Sequence, residues 1–243
     1  MTIDLSGLEA SGTAVIRTVD ALGAEELAAP SLLPGWTRGH VVAHIALNGV
    51  ALAGVMQAVL REEPVAMYES NEKRDADIDD LAAAGQAEVF DQLLASTTLF
   101  NEAALAMDED AWHGSFCRTP GDEQVPVASV LTMRRRELEV HHADLGAVYG
   151  RHDWPVDFVV EMLDAVVGDH LESGSFSVHA TDLERSWAVG GSGGQTVSGL
   201  GPDLGWWLTG RGDGEGLTCD GDALPRLAPW RRASATAVPT PER

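Results

Sequence analysis

A four-helix domain followed by a small α+β domain, an α+β two-domain chain, is the fold class predicted by the 243-residue sequence. Three observations carry this expectation. Apolar residues recur at helical spacing from Leu5 to Val148, broken by proline and glycine. The texture changes after Arg151-His152-Asp153-Trp154-Pro155, where short alternating segments rich in glycine replace the helical period. Hydrophobic residues make 44% and charged residues 22% of the chain, which is ordinary globular usage and excludes a disordered or collagen-like protein.

Leu5, Leu8, Val15, Ile16, Val19 and Leu22 share one face of a first helix, with Gly12 leaving a gap in the stripe. Pro30 and Pro34-Gly35 then break the chain, and Thr37 is the expected N-cap of a central helix starting near Arg38. The apolar run Val41–Leu60 has 20 residues, the length of a bilayer span. His44, Asn48 and Gln57 interrupt it, so a helix apolar all round and buried at the centre of a bundle is expected. Pro64 follows its end. After an acidic connection, Val89, Phe90, Leu93, Leu94, Thr97, Phe100 and Ala104 mark a third helix. The fourth is expected from about Val127 to Val148, stopped at Gly150. These four make a bundle over residues 1–153.

The second domain is expected over residues 154–232. A helix from Val156 to about Leu171 leads into strands at Phe176–His179, Ser186–Val189 and Gln195–Ser198. Asp203 opens a short helix to Leu208 that carries Trp206 and Trp207, read as core or pocket wall, and Leu217–Cys219 is a further strand. The Pro/Ala-rich tail, residues 233–243, is expected to be disordered.

The charge sum is −22, a field that repels phosphate backbones. Nucleic acid and anionic membranes are therefore not expected partners. Cys117 and Cys219 form no disulfide framework, and the residues after Met1 lack the basic and apolar regions of a signal peptide. A cytoplasmic location is expected. The glycine cluster Gly190–Gly194 opens no helix in a βαβ unit, so it does not read as a phosphate loop. Gly190–Gly194 also spells G-x-S-x-G, but with no helix after it this is no nucleophile elbow, and neither cysteine has an adjacent histidine or CxxC partner.

The fourth helix carries the chemistry. With 100° per residue, Val127, Val130, Arg134, Glu137, Leu138, Asp144, Leu145 and Val148 fall within about 60° of His141. Glu137 and His141 therefore stand one turn apart on the core stripe, while Glu139 points opposite and His142 to the side. A carboxylate among core residues is costly unless it is paired, hydrogen-bonded or metal-bound. The central helix offers the complement in His44, with His40 one turn before and Asn48 one turn after. Two histidines and a carboxylate suit catalytic zinc, and also nickel, cobalt or ferrous iron. Spacing alone leaves other readings open. His40 is an equal alternative to His44, Glu137 fits an ion pair with Arg134, and Arg134-Arg135-Arg136 reads as a solvated charge run.

Leu33-Pro34-Gly35-Trp36-Thr37-Arg38-Gly39-His40-Val41-Val42-Ala43-His44 resembles the GWTRxHxxAH segment of the mycothiol-dependent maleylpyruvate isomerase family. Met133-Arg134-Arg135-Arg136-Glu137-Leu138-Glu139-Val140-His141, followed by Asp144-Leu145-Gly146, is similar to the family's MRxRExxxH…DLG segment. Val197-Ser198-Gly199, Leu204, Leu208, Gly210-Arg211-Gly212 and Gly216 match its C-terminal domain. Glu139-Val140, Gly49 and the glycine-rich stretch differ from the family.

The resemblance implies a DinB-like metal-binding four-helix bundle followed by a sterol-carrier-like α+β domain. It implies metal ligands at His44, Glu137 and His141, favouring His44 over His40, and an activity-related arginine at Arg211. It also implies Zn2+ and mycothiol as cofactors and 3-maleylpyruvate as the small-molecule substrate. Arg211 is then expected to grip a carboxylate, and the chain to act as a monomer. The same site suits a mycothiol S-transferase, whose adduct does not eliminate. A non-catalytic ligand-binding protein with structural zinc is the third reading.

Overall fold

The computed structural model describes residues 4–170, 173–191 and 193–228. It divides into two compact units, one ending at Gly150 and the next beginning at Arg151. The tail expected to be disordered lies outside the described residues.

The first unit is built on α1 (Ser6–Asp20), α2 (Ala24–Ala28), α3 (Arg38–Leu60), α4 (Asn71–Ala83), α5 (Gln86–Ala106) and α6 (Val130–Asp144). α3 starts where Thr37 caps it, its Oγ1 accepting from the His40 backbone N–H at 3.3 Å. His40 Nδ1 returns the favour, accepting from the Thr37 N–H at 3.3 Å. Val41, Val42, Ile45, Leu52, Val55 and Met56 lie buried all around α3. Each such side chain contributes about 1.5–3 kcal/mol by leaving water. The helix is long and apolar enough to cross a membrane, yet 72% of its most apolar window is buried inside the protein.

α1 packs on α5 and α6 through Leu8, Val15 and Val19. Gly12, the gap in its stripe, sits where a Cβ would come 3.3 Å from Thr97 Cγ2, so glycine permits close approach to α5.

Three features differ from expectation. The acidic connection holds α4, capped by Ser70, whose Oγ accepts from the Lys73 N–H at 3.1 Å. A small hairpin, β1 (Ser115–Cys117) against β2 (Gln124–Pro126), precedes α6. α6 ends at Asp144 rather than Val148, because Gly146 turns the chain at φ +60°. Val127 lies in a separate 3-10 turn before it, and Val148 is exposed.

In the second unit, α7 (Val156–Asp169) buries Phe158, Val159, Met162, Leu163 and Val166. Strands β3 (Phe176–Ala180), β4 (Arg185–Val189), β5 (Thr196–Gly199) and β6 (Thr218–Cys219) form one sheet in the order β4-β3-β5-β6. β3 and β5 are parallel, with Val178 opposite Val197, and the other neighbours are antiparallel. The glycine-rich stretch carries the crossover. A Cβ at Gly194 would lie 1.9 Å from the Ser175 carbonyl oxygen, at φ +83°, so only glycine fits there. α8 (Gly201–Leu208) buries both Trp206 and Trp207.

Candidate metal centre

α3 and α6 pack side by side, and their facing stripes bring His44 to Glu137 and His141. One donor atom from each of the three lies within 4.8 Å of the others, and they are the one such group among the described residues. His44 Nε2 is 2.8 Å from Glu137 Oε2, and His141 Nε2 is 3.1 Å from the same oxygen. The three are 2%, 4% and 5% exposed. His40 stands apart at the helix cap, its Nε2 3.6 Å from Asp79.

Proton placement follows from the outer contacts. His141 Nδ1 is 2.8 Å from the fully buried Asp144 Oδ2, so Nδ1 carries the ring proton and donates it. The Nε2 lone pair then faces the Glu137 carboxylate. Two acceptors at 3.1 Å are reconciled by a cation or a shared proton between them. This is the carboxylate–histidine arrangement that orients a metal ligand.

His44 is set differently. Its Nδ1 is 3.2 Å from Arg74 Nη2, and a guanidinium only donates, so Nδ1 accepts and the ring proton sits on Nε2. Nε2 donates it to Glu137. Burial pushes the His44 imidazole down to about 3, opposed by its hydrogen bond to Glu137. The ring is thus neutral at physiological pH, the form in which imidazole ligates metal. Trp36 closes over it, the two ring centroids 5.7 Å apart.

Around the triad lies a shell of cations and hydrogen-bonding groups. Arg134 is buried, its Nη1 donating to the Ile45 carbonyl at 2.6 Å and to Asn48 Oδ1 at 3.1 Å. Burial lowers this guanidinium to about 10, opposed by the nearby Glu137, and it stays cationic at neutral pH. The solvated-run expectation therefore fails for Arg134, while Arg135 and Arg136 are half-buried. Asn48 hydrogen-bonds the Tyr68 phenol, which burial pushes up. Glu139 and His142, on the other side of α6, are buried against α1. Glu139 accepts from the Ser11 and Tyr149 hydroxyls, and His142 Nε2 is 2.7 Å from Thr18 Oγ1. Sequence reasoning missed Arg74 and Tyr68, which lie on no apolar stripe and in no metal-ligand spacing.

Arg211 belongs to the second unit. It is nearly buried, donates from Nη1 to the Thr209 carbonyl at 3.1 Å, and holds its guanidinium 5.6 Å from the Trp206 ring centroid. Cys117 Sγ is 3.7 Å from the Val65 carbonyl oxygen and Cys219 Sγ 3.7 Å from that of Ala223.

The model of the mycothiol maleylpyruvate isomerase N-terminal domain matches residues 8–146. A crystal structure of the mycothiol-dependent maleylpyruvate isomerase is similar at 26% identity and a TM-score of 0.84, covering 93% of this chain and 95% of that one. A histidine-to-alanine variant of that enzyme is similar at 26% identity and a TM-score of 0.83, with the same coverage. No curated protein matches the chain.

Proposed function

The chain belongs to the mycothiol maleylpyruvate isomerase N-terminal domain family and is an enzyme of that kind, and from this premise we propose that it is a zinc- and mycothiol-dependent isomerase. The reaction is the conversion of 3-maleylpyruvate to 3-fumarylpyruvate. The observation that supports this reading is the buried His44–Glu137–His141 triad with Asp144 behind it.

The donor set, two imidazoles and one carboxylate, fits a divalent ion, and three protein donors on a tetrahedral ion would leave the fourth position to an exogenous ligand. His44, Glu137 and His141 are the residues that would hold it. Bound zinc supplies acidification of a thiol, so that mycothiol reacts as thiolate at neutral pH. Asp144 keeps the His141 ring in the ligand-ready tautomer. The burial of all three side chains keeps bulk water from them and strengthens the electrostatics inside. No protein thiol is required, in keeping with the ordinary backbone contacts of Cys117 and Cys219.

In the reaction the thiolate sulfur adds to one alkene carbon of the substrate, and the electron pair moves onto the conjugated carbonyl as an enolate. Rotation about the former double bond follows. The electron pair then returns, re-forming the bond in the trans geometry and expelling the thiolate, so the thiol is not consumed. Arg211 is the residue assigned to a substrate carboxylate, which a guanidinium fork matches geometrically. A local cation also offsets the net charge of −22 for an anionic substrate. The enzyme works as a cytoplasmic monomer in this reading.

The test is the ultraviolet spectrum of 3-maleylpyruvate with zinc-loaded protein and sub-stoichiometric mycothiol. Turnover beyond the thiol added supports the isomerase. Stoichiometric loss of thiol into a stable conjugate identifies an S-transferase instead.

A further inference from the structure

A second group of buried charge lies beside the triad. Arg74 on α4 and Arg118, which follows β1, are each 6% exposed. Their guanidinium carbons lie 5.8 and 5.3 Å from the centroid of the Tyr68 ring. Arg118 is held from one side by Asn71 and Arg74 by the exposed Asp75. With Arg134, whose charge is opposed by the nearby Glu137, three buried guanidinium groups gather around Tyr68 and the triad, inside a protein whose net charge is −22. Nε of both Arg74 and Arg118 is buried with no hydrogen-bond partner. Such orphaned donors cost free energy unless a ligand satisfies them.

Arg74 is the informative member. Nε and Nη2 form the side-on edge of a guanidinium, the edge that takes a carboxylate in two parallel hydrogen bonds. Here Nε is orphaned and Nη2 rests on His44 Nδ1 at 3.2 Å. That contact needs Nδ1 to be bare. A metal ion on Nε2 requires the opposite tautomer, with the proton on Nδ1, and the contact then becomes donor against donor. Ligation by His44 and the observed Arg74 contact exclude one another, so metal loading sets the whole Nε–Nη2 edge free.

We propose that this edge of Arg74, backed by Arg118 across Tyr68, is a carboxylate-binding site that metal loading of the triad switches on. The ligand class is a small organic carboxylate. The site rests on the metal reading above, and it places a substrate's anionic end within the first unit, independently of Arg211. Because Arg74 trades His44 for the carboxylate, metal and carboxylate bind with positive coupling, and the coupling is reciprocal.

The experiment is zinc affinity by chelator competition, with and without maleate, an unreactive cis-dicarboxylate. In the wild-type protein, maleate is expected to tighten zinc by at least tenfold, the scale of one charge-assisted hydrogen bond. Arg74→Met should abolish the effect. Arg74→Lys, which keeps the charge on a flexible stem but lacks the edge, should lose most of it and guards against misfolding of the first variant. Full coupling in folded Arg74→Met or Arg74→Lys, as direct maleate–zinc contact would give, overturns the proposal. So does zinc binding in the wild type that maleate leaves unchanged, with the metal reading intact. A wild-type protein that binds no zinc overturns both.

Discussion

The rings of His44 and His141 meet edge to face, their centroids 4.6 Å apart and their planes at 89°. They come from helices that are far apart in sequence, yet both direct Nε2 at one oxygen of Glu137. Edge-to-face rings sharing a carboxylate place three donors around a common point.

Asp144 fixes the tautomer of His141 through Nδ1. Asp144→Asn can present its amide N–H to the ring and so favours the wrong tautomer. Zinc affinity should fall about 10–100-fold, the usual cost of losing such a partner. Competition with a chromophoric chelator measures it, and unchanged affinity would show that Asp144 does not orient the ligand.

Gly49 faces the buried Arg134. A Cβ there would lie 2.9 Å from Arg134 Nη2 and 3.3 Å from Ser96 Cβ. Gly49→Ala should therefore destabilise by about 1–3 kcal/mol through overpacking. At this chain length that lowers the melting temperature by roughly 2–12 °C. A melt equal to wild type would mean that Arg134 moves aside freely.

The sequence has two tyrosines, Tyr68 and Tyr149. Burial raises the Tyr68 phenol above its ordinary 10.0. The folded state therefore holds the proton more tightly than the unfolded chain. The resulting stabilisation is complete below pH 10 and is lost as pH rises through the folded value. Phenolate absorbance should show a late-titrating group that Tyr68→Phe removes. If the late group persists in that variant, the assignment is wrong.

Arg211→Met should lower kcat/KM about 10–100-fold, the worth of a charge-assisted carboxylate contact. Zinc content should stay unchanged, because Arg211 is not a ligand in this account. Full activity in a folded Arg211→Met protein would remove it from the reaction.

The sequence made α1, α3 and α5 legible because their apolar residues keep the helical period, and Thr37 marks the start of α3 by its capping chemistry. The Glu137–His141 pair was visible for a related reason: an ionisable pair one turn apart on a core stripe is costly without a partner, whereas His44 was singled out from His40 only by the family resemblance. α4 was hidden. It buries Ile78 and Arg74 alone, so no stripe forms, and its acidic surface reads as loop. Arg74 was invisible for the same cause, since nothing in a polar segment announces a buried cation. The hairpin has strands of three residues, too short for an alternation to register. His40 and His44 share a spacing, and what separates them is local: His40 serves the cap of α3 while His44, one turn deeper, reaches the core.

The central claim is that His44, Glu137 and His141 hold a divalent ion. Elemental analysis after zinc loading and exhaustive dialysis, on wild type, His44→Ala and Glu137→Gln, tests it most directly. The account predicts about one zinc per chain in the wild type, the stoichiometry of a mononuclear site. It predicts almost none in either variant, with the helical circular dichroism kept. Zinc retained at full occupancy in folded variants, or absent from the wild type, would contradict it.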